Sequence, residues 1–160
     1  MSAVAGRILA NLVLIIAVIM ASAVPAQSAV PGVAMLTGIR TATHPTFDRI
    51  VLDLSGPRPQ ASSQFVDELT RDGSGEVEWI TGAAFAEVHV TPAQAHDGAG
   101  HLSYPGPPKF RTPDLANVMA IAVTGDYEGV LSAGVGMRRQ AWIKAFTVSS
   151  PTRVVIDVGR

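Results

Sequence analysis

Cysteine is absent from the 160 residues. That excludes disulfides, cysteine-ligated zinc or iron–sulfur centres, a thiol nucleophile and lipid attachment through cysteine. Charge is sparse and nearly balanced, with 12 Lys and Arg against 13 Asp and Glu. Without a basic surplus, nothing points to nucleic acid or to an anionic membrane surface. Helical periodicity is scarce, and 15 Gly with 11 Pro punctuate short apolar runs. Catalytic signatures are missing as well. There is no G-x-S-x-G elbow to support a serine hydrolase. Gly134-Val135-Gly136 and the Gly98/Gly100 pair lack the following helix of a phosphate loop and read as turn glycines. His89, His96, Asp97 and His101 are ligand-type residues, but they lack the tight spacing of a zinc site. The expectation is therefore a chain with no catalytic residues, no cofactor and no metal, and one that is not an enzyme.

What is present begins at the N-terminus. Arg7 is followed by an apolar run from Ile8 to Val24, then by small residues around Pro25. This is the order of a secretory signal, with cleavage expected after Ala26 or Ser28. An uncleaved membrane anchor is the rival, since about 17 apolar residues is the lower limit for a span. A buried core helix is the third reading. The expected organisation is a signal at 1–28, a short tether at 29–35 and one domain at 36–160. Export to the cell envelope follows, with membrane contact only through an uncleaved N-terminal segment.

One pattern occurs twice. Residues 48–54 read DRIVLDL and residues 152–158 read TRVVIDV. In a strand, side chains alternate between faces. Ile50, Leu52 and Leu54 share one face and Arg49, Val51 and Asp53 the other. Val154, Ile156 and Val158 are set likewise against Arg153, Val155 and Asp157. An antiparallel pair with Val51 opposite Val155 would bring Arg49 to Asp157 and Asp53 to Arg153. Each such opposite-charge pair contributes only about 0.2–1 kcal/mol. The alternative places the two copies in different sheets, each Arg and Asp pairing locally.

Further strands are expected at 64–69, 77–80, 84–90, 118–123, 130–135 and 142–148, with a turn at 71–76. The stretch 91–114 holds five prolines and three glycines, reads as a long loop and is the leading candidate for variable contacts. Short helices at 93–96 or 114–117 remain open. The fold class is all-β, a sandwich or barrel of short antiparallel strands.

Four motifs in order then carry a resemblance. They are Phe47-Asp48-Arg49-Ile50-Val51, Ala95-His96-Asp97 with Tyr104-Pro105-Gly106-Pro107, Gly125-Asp126-Tyr127-Glu128-Gly129, and Pro151-Thr152-Arg153-Val154-Val155-Ile156-Asp157. Together they resemble the AMIN-like domain of secreted actinobacterial envelope proteins, over residues 36–158. The resemblance implies a β-sandwich that associates with peptidoglycan or an envelope protein. The lipobox cysteine of some relatives is not present here.

The expected function is thus an exported, non-catalytic envelope-binding or targeting module. A small-ligand carrier built as a closed β-barrel is the alternative, and an enzyme using the 91–114 loop is the last. Candidate partner-binding residues are Arg49, Asp53, Arg153 and Asp157 on one sheet face, and the aromatics Tyr104, Phe110, Tyr127 and Trp142. A competing reading makes Tyr127 and Trp142 partly buried sheet residues. A pocket joining His96 or His101 to a strongly perturbed acid would favour the enzyme.

Overall fold

Period-two patterning builds the centre of the first sheet. The computed structural model describes residues 32–160; the signal segment and residues 29–31 of the tether lie outside the described residues. Ten strands follow in order: β1 Ala34–Thr43, β2 Phe47–Ser55, β3 Gln60–Val66, β4 Ala84–Thr91, β5 Ala93–Gln94, β6 Lys109–Arg111, β7 Val118–Gly125, β8 Leu131–Met137, β9 Ile143–Val148 and β10 Arg153–Gly159. They form two five-stranded sheets, in the orders β5-β1-β2-β10-β9 and β3-β4-β8-β7-β6. The result is an all-β sandwich of two open sheets. A closed barrel, which the carrier alternative requires, is not formed by the described residues. The first strand starts at Ala34, inside the expected tether, because its opening residues pair with β5 and are fully buried.

The two repeats lie side by side and antiparallel, with Val51 opposite Val155 and Arg49 opposite Asp157. Ile50, Leu52, Leu54, Val154, Ile156 and Val158 all turn into the core. Each such burial stabilises by about 1.5–3 kcal/mol, which outweighs the charges on the opposite face. From the second sheet, Ala86, Val88 and Val90 of β4 and Leu131, Val135 and Met137 of β8 meet them.

One polar residue sits among these aliphatics. Asp48 shares the parity of Ile50 and is fully buried. Its carboxylate accepts the backbone N–H groups of Ala116 (3.2 Å), Asn117 (2.6 Å) and Val118 (3.0 Å), where the chain enters β7. Arg160 approaches the same carboxylate at 3.4 Å. Asn117 continues the network by donating Nδ2 to the Gly159 carbonyl at 2.7 Å. One side chain of the first sheet thereby ties down the entry to a strand of the second.

The outer face of the second sheet is covered by its own chain. Residues 69–82 fold back on themselves through a bridge between Thr70 and Val77 and lie across β8 and β7 as a strap. Its ends are fastened by Asp72 N–H to the Thr124 carbonyl (3.0 Å) and Ala83 N–H to the Met137 carbonyl (2.7 Å). Leu69 packs where Gly134 has no side chain: a Cβ there would come within 2.5 Å of Leu69 Cδ1. A Cβ on Gly136 would strike the Thr81 carbonyl oxygen. Gly134 and Gly136 are therefore strand residues with outward faces, and the expectation of turn glycines is corrected. Residues 77–80 belong to this strap and only Val77 bridges, so the strand expected there is replaced by a covering segment. Within 91–114 the chain forms two short strands, β5 and β6, and neither expected short helix. The helical turn that does form spans Tyr127–Gly129.

Candidate functional site

The charged face of the first sheet comes together only in part as the repeat predicts. Arg49 forks onto Asp157 at 2.7 and 2.8 Å. Asp53, although opposite Arg153, is bound instead by Arg40 of β1, at 2.6 and 2.7 Å. Arg153 bends back to the Pro151 carbonyl at 3.3 Å. The predicted Asp53–Arg153 pair is thus displaced, because Arg40 presents a planar fork from the neighbouring strand and bonds both carboxylate oxygens. The Arg40 contact holds the Asp53 carboxyl below the usual carboxylate range, against the upward push of burial. Beside these pairs, Phe47 stacks on His44 at 4.4 Å and tilts against Trp142 at 6.1 Å, with Arg49 over its face at 5.2 Å. All four carboxylate oxygens of Asp53 and Asp157 on this face are occupied by arginine.

The aromatics scatter. Tyr104 is 6% exposed, and its hydroxyl donates to the Pro107 carbonyl at 2.9 Å. Burial pushes its phenol pKa up. It is a core residue with one edge at the surface, which corrects the expectation of a free stacking anchor. Tyr127 and Trp142 are 63% and 54% exposed, so the partly buried reading fails for both. Tyr127 stands on the helical turn, outside any sheet. Trp142 leans over Gly159, which offers no side chain to lift it.

Phe110 is the predicted residue that lands in a site. It is the middle residue of β6, and four surface depressions are each lined by at least one residue of that strand. A shallow groove of about 430 Å³ joins Phe110, Lys109 and Arg111 to Trp79, Ile80 and Thr81 of the strap. Trp79 is 79% exposed, the most open large apolar side chain among the described residues. Its position follows from the residue before it. Glu78 turns inward and is 7% exposed, so Trp79 must turn out. Lys109 anchors both by bonding Glu78 and by donating to the Trp79 carbonyl at 3.1 Å. Trp79 and Arg111 were not legible as site residues: a V-E-W-I run reads as an ordinary strand, and β6 is hidden in a proline-rich stretch.

Next to this groove lies a polar cleft of about 260 Å³ lined by Arg71, Glu78, His96, Lys109 and Thr124. It does bring His96 to an acid. Burial pushes the Glu78 carboxyl up, but Lys109 and Arg71 (2.5 Å) outweigh that and hold it below the usual range. A carboxylate held low is ionised at neutral pH and has no proton to give. His96 faces a different acid, with Nδ1 3.1 Å from Asp126. His89 and His101 also go to separate carboxylates, Glu87 (3.2 Å) and Asp97 (3.4 Å). No group of three metal-ligating side chains converges among the described residues.

Ser132, His89 and Glu87 do line up, with Ser132 Oγ 3.3 Å from His89 Nδ1 and His89 Nε2 3.2 Å from Glu87. The residue types are those of a charge relay. However, Ser132 is 1% exposed and lies mid-strand between β4 and β7. A nucleophile needs an open approach and free N–H donors for the oxyanion, and here the strand ladder uses the neighbouring amides.

The AMIN-like domain family matches residues 34–160, which is the whole described fold. The chain belongs to the AMIN-like family. No curated protein and no solved structure matches it. Membership suggests an extracytoplasmic, envelope-associated module. The four family motifs take structural places in this AMIN-like domain. Asp48 is the inter-sheet staple, and Tyr104-Pro105-Gly106-Pro107 walls the side of the sandwich. Asp126 accepts the N–H groups of Ala95 (2.7 Å) and His96 (2.9 Å), and Arg153 to Asp157 lie in β10, an interior strand of the first sheet.

Proposed function

We propose that this AMIN-like domain is an exported, non-catalytic module that holds its protein at the cell envelope by binding peptidoglycan along the β6 rim. The observation that carries the reading is the groove in which open Trp79 stands beside Phe110, Lys109 and Arg111. Aromatic faces stack on the apolar faces of sugar rings, and a guanidinium pairs with carboxylates of the kind peptidoglycan carries. Arg111 is exposed and makes no ion pair among the described residues, so its fork is open to a ligand. The strap and β6 fix the geometry through Glu78, so the groove exists before a ligand arrives. A non-catalytic role is supported by Glu78, Asp126, Asp53 and Asp157, the carboxylates of the cleft and the charged sheet face, each of which is engaged by a basic side chain, and by burial of the relay-like Ser132. The apolar N-terminal run after Arg7 supports export.

Retention of the full chain on purified cell wall tests this. The wild type is expected to exceed an unrelated β domain several-fold. Trp79→Ala should lower retention about tenfold, the effect of losing ~1.4 kcal/mol at an aromatic anchor. Its thermal midpoint should not move, because the side chain is largely in solvent. Equal retention of Trp79→Ala and wild type removes the groove from the reading. Wild-type retention no better than the control removes peptidoglycan, and leaves an envelope protein as the partner.

A further inference from the structure

Among the described residues, one long sheet edge is unguarded. Beyond its two-residue pairing with β5, strand β1 has a neighbour only on the β2 side among the described residues. The hydrogen-bond alternation shows which groups are left over. Leu54 N–H bonds the Thr152 carbonyl, so even-numbered residues of β2 face β10 and Arg49, Val51 and Asp53 face β1. His44 N–H bonds the Phe47 carbonyl, so on β1 it is Arg40 and Ala42 that face β2. The N–H and C=O groups of Ile39 and Thr41 therefore point away from the sheet. Arg160 reaches Thr43 and the Pro45 carbonyl and covers only the far end.

Natural edge strands are protected by charge, proline, bulges or a covering segment. The single charged side chain here, Arg40, is drawn onto the outer face and bound by Asp53. The bulge between Leu36 and Gly38 lies at the start of the edge, not along it. Directly beside the open edge runs an apolar groove of about 400 Å³, walled by Ile39, Tyr104, Pro105, Pro107 and Phe110. Ile39 and Phe110 are core residues left half-covered at this side of the sandwich.

We propose that β1 accepts an extended peptide segment of a partner protein as an added strand. Its backbone bonds Ile39 and Thr41, and an apolar side chain enters the groove at alternate positions. The chemistry selects this occupant. Unpaired main-chain donors and acceptors in strand spacing are matched by another extended backbone. A side chain of that strand on the inner face falls where Ile39, Pro107 and Phe110 are waiting, because alternation repeats every second residue. A sugar polymer would satisfy neither the edge nor the groove in this register. The inference goes beyond peptidoglycan binding and uses a different edge of the fold.

The probe is a phage-displayed library of random 12-residue peptides, selected on the purified full chain. Enriched peptides are expected to alternate apolar and polar residues and to shift the amide signals of Ile39 and Thr41. In Thr41→Pro the lost N–H is one that points outward, so the β1–β2 ladder survives, as proline is tolerated on edge strands. Peptide affinity should drop at least tenfold in that variant, while cell-wall retention stays at the wild-type level. A second measurement needs no variant: N-methylation of alternate peptide bonds should abolish binding in one set of positions and spare the other. Failure to enrich any alternating peptide overturns the proposal. So does equal binding to Thr41→Pro, or indifference to N-methylation. A wild-type dimer broken by Thr41→Pro overturns it in favour of a second copy as occupant.

Discussion

Replacing Asp48 by alanine is expected to destabilise the fold by about 3–5 kcal/mol, the usual consequence of removing one side of a buried charged network. Three backbone N–H groups and Arg160 would lose their acceptor at once, in a position that is fully buried. Since single domains are stable by only about 5–15 kcal/mol, such a loss threatens the native state itself. Asp48→Asn keeps one acceptor oxygen and should lose about half as much, on the scale of individual buried hydrogen bonds. Urea unfolding of the three proteins should rank wild type above Asn above Ala. The pH dependence follows in sign. Burial raises the Asp48 pKa, but the three N–H donors and Arg160 overcome this and set it below the ordinary value. A depressed carboxyl stabilises fully above its unfolded pKa of about 3.9 and loses that contribution as pH falls through the lower folded value. The gap between wild type and Asp48→Asn should therefore narrow in acid. A gap that is constant from neutral pH to pH 2, or an alanine variant as stable as wild type, contradicts the staple.

Gly136→Ala is expected to have the second largest effect. One methyl group there meets the carbonyl oxygen of Thr81, which belongs to the backbone of the strap and cannot rotate away. Either the strap lifts or β8 shifts. Overpacking of this kind costs about 1–3 kcal/mol, and the strap has little to offset it. If the strap lifts, protection of the Asp72 and Ala83 amides, which bond the sheet at its two ends, should fall together in hydrogen exchange. Cell-wall retention should also fall, because Trp79 and the Glu78–Lys109 contact ride on the strap. Unaltered protection at both amides in a stable variant would show that the strap is not seated as described.

Both residues were within reach of sequence reasoning, and each was missed for a different reason. Asp48 has the same parity as Ile50, Leu52 and Leu54, so the alternation that placed the aliphatics inside placed the acid there too. Its place within the Phe47–Val51 motif masks that burial. Gly136 gave a misleading signal, since glycine marks turns far more often than it marks a strand that another segment crosses. The register of the two repeats was legible because aliphatic parity and opposite charges agreed on one arrangement. The partner of Asp53 was not, because the bulge near Gly38 shifts β1 by an amount that local composition does not encode. Trp79 and Arg111 become a site only when the strap and β6 are brought together, and no local pattern announces a long-range contact of that kind.

The position of β10 has a consequence for how the chain acquires its shape. The last strand of the fold is a central strand of its sheet, inserted between β2 and β9, and the Arg49–Asp157 bond closes a separation of 108 residues. Such non-local pairing makes folding slow, because the entropy of closing the loop is lost before the contacts form. Until residues 153–159 arrive, β2 has β1 on one side only, and β9 has no strand to join it to the first sheet. A growing chain therefore stays open along this edge of β2, and completes its first sheet only when its final strand is in hand.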